Sequence, residues 1–442
     1  MSASLATAMV FSLAACGSGS GGSSNSADET QTTTITVWSW EPTLTPVVKL
    51  FEKKYPNIKV KLVNAGTNND EYTALNNALS AGSGAPDVAQ IETHALPEYA
   101  YQGHLIDLSD MGAKDYDGFY QPGIWSSVNI NGGIYALPFG SGPMAFFYNK
   151  AVFDKAGVTE VPTTWDEYYE AAKKIRALGG YITSDVFDAG TMDSLIWQAG
   201  GTPFAVDDET VTIDLTDDAG TKKVVDYWQR MVDEDLVNPN VQGWTDDWNR
   251  GLNDGSIASL LAGAWMPTTL VNSAPDAAGD WRVAQMPQWK EGEHANAEHG
   301  GSTLAIMNGT PDDRIKAAYT FIDFASHDES AIQSRIDNGA FPDTLDSLKK
   351  PEFASATTVK NSAGEDIEFF GGQEYNKELL TAAENVTEDY QFLPYEVYAR
   401  TVFGDYVSGA LVTSGTKISD GMAKWQTALR EQGERMGFTV KQ

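Results

Sequence analysis

The stretch 35-ITVWSWEPTLTPVVKLFEKKYPNIKVKLV-63 reads as strand, helix, strand. Ile35-Thr36-Val37-Trp38 is β-branched and aromatic, which suits a pleated, half-buried segment. Val47, Leu50, Phe51 and Tyr55 then recur at helical spacing, and Ile58, Val60 and Leu62 alternate with period 2. Outward from this unit, Leu75 and Leu79 predict a helix near 70–79, and Asp87-Val88-Ala89-Gln90-Ile91 reads as a third strand. Strand–helix–strand–helix–strand order predicts a right-handed α/β layer on a parallel sheet.

Further on, Thr164-x-x-Glu167 is a capping box opening a helix through Ile175. Val224, Val225, Trp228, Met231 and Val232 mark another amphipathic helix. Strands are expected at 257–261, 281–284 and 302–307, then a helix through Ile315, Tyr319 and Ile322. Ile418, Met422, Trp425 and Leu429 close the chain on a last helix. The economical reading is two α/β lobes in 442 residues.

Composition narrows the partners. With 30 Lys plus Arg against 61 Asp plus Glu, the net charge is -31, which repels nucleic acid and anionic membrane surfaces and favours a neutral or cationic ligand. A single cysteine, Cys16, excludes an internal disulfide and a cysteine-rich metal cage. It follows the apolar run Ser4 to Ala15, which has the length of a signal-peptide core. Leu13-Ala14-Ala15-Cys16 resembles the bacterial lipoprotein processing box, implying cleavage before Cys16 and a lipid on its sulfur, although no Lys or Arg precedes the run. Gly17 to Thr33 is a polar tether, and the spacing of Gly17, Gly19 and Gly22 within it is low-complexity coincidence, not a dinucleotide fingerprint.

Several chemistries lack their residues. No Gly-Lys pair offers a phosphate loop, and neither a Gly-x-Ser-x-Gly elbow nor a His-Glu-x-x-His helix occurs. Nothing calls for a cofactor. Glu291, Glu293, His294, Glu298 and His299 crowd one segment that could hold zinc, but it reads as a solvated loop of an acidic protein.

The segment 138-PFGSGPMAFFYNK-150, continued by AVFDKAG and Val161-Pro162-Thr163-Thr164-Trp165, is similar to the signature of the family 1 extracellular solute-binding proteins. These are the sugar-binding components of ABC importers related to maltose-binding protein. Gly140 stands where that pattern carries Ser, Thr, Ala, Val, Asp or Asn. ITVWSW with KLFEKKYPNIKVKLV, APDVAQI, GLNDGSIASLLAGAW, GGSTLAIMNGT with KAAYTFIDFAS, and GAFP resemble further family blocks in order, covering the chain from Ile35 onward. The resemblance implies a two-lobed periplasmic-binding-protein-like α/β fold with a ligand cleft and about three hinge crossovers. These would fall near 138–142, near 300–304 and between 341 and 348. Residues 1–15 would be signal peptide and 16–33 lipidated cysteine and tether. One lobe would combine 34–139 with 301–344, the other 143–299 with 349–442.

Sugars present apolar C–H faces and rims of hydroxyls, so their sites combine aromatic plates with planar hydrogen-bonding groups. In open parallel sheets ligands lie beyond the carboxyl ends of strands. That rule selects Trp40 and Glu41 after the first strand, Asn68 after the second, and Glu92 and His94 after the third; His94 reads equally as a satisfied loop histidine. Trp38 is assigned to packing, as are Trp165, Trp228 and Trp425. Trp244, Asp247 and Trp248 would share a helix face, as ring plate or packing edge. By resemblance, Trp265 presents an aromatic to the ligand, Gly301 and Ser302 bring a crossover close, and Phe392 and Tyr395 sit near the cleft.

The expectation is a lipid-anchored, monomeric binding component on the extracellular face of the cell membrane. It would capture a neutral oligosaccharide of more than one ring by lobe closure and deliver it to an ABC importer permease. A surface-anchored glycosidase and a carrier of metal or another small solute remain the alternatives.

Overall fold

A computed structural model describes residues 32–184, 188–388, 390–408 and 417–441. The leader, Cys16 and nearly all of the tether lie outside the described residues. Eight strands build the two main sheets: β1 (Thr33–Trp38), β2 (Ile58–Val63), β3 (Val88–Glu92), β4 (Leu137–Gly140), β5 (Met144–Asn149), β6 (Ser259–Gly263), β7 (Trp281–Ala284) and β8 (Ser302–Ile306).

The first sheet has the order β2-β1-β3-β8-β4. β1 runs parallel to both β2 and β3, as the opening stretch predicts. β8 does not follow: it pairs antiparallel with β3, Ser302 opposite Glu92 and Ile306 opposite Val88. The chain enters β8 from the other lobe, so it starts at the end where β3 finishes. The Leu44–Lys54 helix buries Leu44, Val47 and Phe51 against this sheet. There Phe51 meets Phe321 of the Asp312–His327 helix edge to face, with centroids 5.1 Å apart.

The second sheet, β6-β5-β7, is antiparallel and covered on both faces. Side chains of a strand alternate between faces. Met144 and Phe146 of β5 accordingly enter one core with Trp165, Trp228 and Trp425, while Ala145 and Phe147 enter another with Trp248 and Trp281. That double burial is why MAFFY reads as a continuous apolar run. The capping box forms at the Trp165–Ala177 helix: the Glu167 amide donates to the Thr164 hydroxyl at 3.2 Å, and the Thr164 amide donates to the Glu167 carboxylate at 3.1 Å.

Two segments join the lobes beyond the sheet-to-sheet passages. Phe341 is buried in the second lobe, while Gln121 of the first donates to the carbonyls of Pro342 and Asp343. Residues 341–343 thus contact both lobes. Val397, on the Glu396–Phe403 helix, packs into the first lobe's core, and its amide donates to Glu98 at 3.0 Å. That helix packs on both lobes, Ala399 and Phe403 entering the second lobe's core.

Glu71 is fully buried on the Asn69–Ala81 helix, and neither carboxylate oxygen has a hydrogen-bond partner. Burial, with the charge of Glu92 adding to it, pushes its carboxyl up to about 8; burial likewise pushes Glu98 to about 7. Both native groups hold protons that the unfolded chain releases near its ordinary carboxylate range. Stability is therefore present at low pH and lost as pH rises through these native values. Each pKa unit of displacement corresponds to about 1.4 kcal/mol. Scanning calorimetry should show Tm falling between pH 6.5 and 8.5. Glu71→Gln should flatten that fall, and a Tm rising over the same interval would contradict the assignment.

Candidate functional site

The cleft is fixed by how two interlobe passages lie together. Between β4 and β5, and again ahead of β8, the strands run side by side: the Met144 amide donates to the Ala297 carbonyl at 2.9 Å and the His299 amide to that of Gly142 at 2.7 Å. The buried Glu298 carboxylate accepts the Ser141 hydroxyl at 2.9 Å and the Gly142 amide at 2.6 Å. Burial holds its carboxyl up at about 7 against those two donors. A Cβ on Gly142 would run into the His299 carbonyl oxygen.

That carbonyl also receives the indole N–H of Trp265 at 2.7 Å. Gly263, at the end of β6, lies directly beneath the indole and the same carbonyl, and a side chain there would collide with both. The Gly263-Ala264-Trp265 block thus exists to lay one indole flat at the cleft edge. Trp244 stacks on it, with centroids 5.7 Å apart and planes at 29°, and contacts Trp248 at 5.4 Å. Trp244 is 63% exposed and has φ 66°, a left-handed backbone that a bulky side chain rarely adopts. The Asp246–Asp254 helix begins only after Thr245, its N-cap, so Trp244 precedes the helix. The pair does not share a helix face, as the spacing had suggested; a strained turn brings the rings together instead.

On the opposite wall, the end of β1 turns through Ser39 to Trp40 and Glu41. Gln90 sets this turn: its carbonyl oxygen accepts the Ser39 hydroxyl at 2.6 Å, and its amide donates to Ser302 at 3.0 Å. Trp40 meets Tyr72 edge to face at 6.2 Å, and the Tyr72 hydroxyl donates to Glu92 at 3.0 Å. Burial raises the Glu92 carboxyl, while the charge of Arg400 and the Tyr72 hydroxyl bond counter the rise.

Between the walls lies a cavity of about 710 Å3, within the range of small-molecule sites. Of the residues selected from sequence, Trp40, Glu41, Asn68, Glu92, Trp244, Trp248, Trp265, Gly301 and Ser302 line it. Trp248 is almost fully buried and supports the bank from below. Four residues stand elsewhere. Asp247 does not line the cavity and pairs with Arg250 at 2.8 Å. His94 is buried against Tyr72 and Phe392, and burial lowers its pKa well below the ordinary value, keeping it neutral. Phe392 lines a different cavity, beside Tyr390 and Trp197. Tyr395 is 1% exposed and packs on Phe438, so it belongs to the second lobe's core.

The cavity also holds groups the sequence reading passed over. Asp188 lines it while capping the Ala189–Gln198 helix, accepting the Thr191 amide at 3.0 Å. Arg400 enters from the Glu396–Phe403 helix, held by Asp193 at 3.0 Å and Glu396 at 3.4 Å. Arg335 lies over the Phe139 ring, 3.6 Å from its centroid. His299 reaches the cavity with a buried Nδ1 that has no partner. The acidic, histidine-bearing segment is therefore no uniform solvated loop: His294 is exposed, but Asn296, Ala297 and Glu298 run buried beneath the cleft. Among the described residues no cluster of three or more His, Cys, Asp or Glu side chains could hold a metal ion.

The model of the bacterial extracellular solute-binding protein family matches residues 38–332, and the chain belongs to that family. The arabinooligosaccharide-binding protein of Bacillus subtilis (strain 168) is 29% identical over 294 residues, 64% of this chain and 66% of its own length. The chain thus spans just under two thirds of that relative. Among solved structures, the ABC transporter associated binding protein from B. animalis subsp. lactis Bl-04, in complex with β-1,6-galactobiose, is 52% identical. It covers 93% of this chain and 100% of its own with a TM-score of 0.84. The galacto-N-biose-/lacto-N-biose I-binding protein of the Bifidobacterium longum ABC transporter, in complex with lacto-N-biose, is 27% identical. It covers 93% of this chain and 99% of its own, with a TM-score of 0.78.

Gly263→Ala should tilt the Trp265 indole off the His299 carbonyl and cost about 1–3 kcal/mol of stability, the range for overpacking a tight site. Urea unfolding and tryptophan fluorescence should register both changes. An unchanged spectrum with wild-type stability would show that the close approach is not needed.

Proposed function

We propose that this protein is the extracellular capture component of an ABC importer for a neutral oligosaccharide, acting by lobe closure without bond chemistry. The observation that carries the reading is the stacked Trp244–Trp265 pair facing Trp40 across a cavity walled by both lobes. Two banks of aromatic plates suit the C–H faces of successive sugar rings. Glu41, Asn68, Glu92, Asp188 and Ser302 supply hydrogen-bonding partners at the rim. Arg335 and Arg400 face carboxylates already present, so the site favours a ligand with hydroxyls rather than charge.

The chemistry bound by the similar proteins, β-1,6-galactobiose and arabinooligosaccharides, sets the first ligands to try. In this reading the lobes comprise 34–139 with 301–344 and 143–299 with 349–442, and closure rotates them about the crossovers. Cys16 carries the lipid, the tether spaces the monomeric body from the membrane, and the closed form is what the permease receives.

Calorimetric titration with β-1,6-galactobiose, arabinooligosaccharides and maltose, followed by chromatography of the ligand, tests this. Saturable binding with intact ligand is expected. Trp244→Gly should weaken it about tenfold, the equivalent of about 1.4 kcal/mol, without lowering Tm, because glycine adopts the left-handed turn without strain. Ligand shortened in proportion to time would instead mean a glycosidase.

A further inference from the structure

A second cavity of about 270 Å3 adjoins the first and shares Thr268, Gly339, Ala340 and Phe341 with it. These shared residues form the sill between them, where the Thr268 hydroxyl donates to the Gly339 carbonyl at 3.1 Å. Like the main cavity, it is walled by both lobes. Gln333 comes from the Glu329–Asp337 helix, which packs into the first lobe's core through Ala331; Phe353 and Tyr375 come from the second lobe.

Its lining repeats the chemistry of the main site on a smaller scale. Phe341 and Phe353 meet with centroids 5.9 Å apart, and Phe353 is only half-buried. Gln333 and Asn376 add amides, the latter fixed by donating to the Phe353 carbonyl at 2.9 Å. Its lysines already have partners, Lys360 with Asp366 at 2.9 Å and Lys350 with Glu329 at 3.5 Å, and the Asp337 carboxylate accepts the Gln333 amide at 2.8 Å, while Glu352 adds a further carboxylate to the lining. Such a pocket suits a neutral, polyhydroxylated ring rather than an ion.

We propose that this side cavity is an additional sugar subsite, taking the third unit of a chain whose first two units occupy the main cavity. The inference rests on the reading of the main cavity as an oligosaccharide site. A chain lengthened past Thr268 crosses the sill and stays on protein surface instead of entering solvent. Both lobes then grip the ligand at two places along its length.

The test is titration of wild type, Phe353→Ala and Ala356→Trp with β-1,6-galactobiose, -galactotriose and -galactotetraose, and with arabinooligosaccharides of matching length. Phe353→Ala removes a plate; Ala356→Trp fills the pocket. Wild type should bind the tetrasaccharide at least tenfold more tightly than the disaccharide. Both variants should bind the disaccharide as wild type does and lose that gain; if one variant fails to fold, the other decides. Equal affinity for short and long chains in wild type, or a gain retained in the variants, overturns the subsite while leaving capture in the main cavity intact. No binding of any member of either series overturns both.

Discussion

The Glu298 carboxylate, taking the Ser141 hydroxyl and the Gly142 amide, ties two interlobe passages into one strap. Each consequence for the cleft follows from that contact. The strap sets the His299 carbonyl where the Trp265 indole can donate to it, and Trp265 in turn seats Trp244. Gly142 and Gly263 are glycines because the strap passes too close for a side chain. The strap thereby joins the two passages and the Trp265 plate into one hydrogen-bonded unit.

Much of this was legible in the chain. The β1–β2–β3 unit announced itself through period-2 and helical spacing, and the capping box at Thr164 formed as written. The residues after strand ends were legible too, because strand direction dictates which end faces the cleft: Trp40, Glu41, Asn68 and Glu92 all line the cavity. The antiparallel entry of β8 was not legible, because direction there depends on where the chain returns from, and no local period encodes a long-range return. Trp244 was read onto a helix because spacing carries no information about a left-handed turn. His299 and Glu298 were lost among acidic neighbours, since burial of a polar segment under a hinge leaves no hydrophobic signature. Arg400 sits on a helix shared by the lobes, and its role appears only once Val397 is seen packing across.

A strongly acidic exterior contrasts with a cleft whose arginines are already engaged. The net charge of -31 keeps polyanions away. Inside the cleft, by contrast, Arg400 is held between Asp193 and Glu396, and Arg335 stacks on Phe139. A cavity whose ionic groups are already engaged selects by shape and hydroxyl geometry, which is the discrimination a sugar demands.

Under the proposed function, closure of the lobes on a bound oligosaccharide is the step that hinge, plates and cavity would all serve. Small-angle X-ray scattering of the tether-free body, alone and saturated with β-1,6-galactobiose or an arabinooligosaccharide, measures it directly. A smaller radius of gyration on saturation is the predicted result. A sugar that binds by calorimetry yet leaves the radius of gyration unchanged would contradict capture by closure.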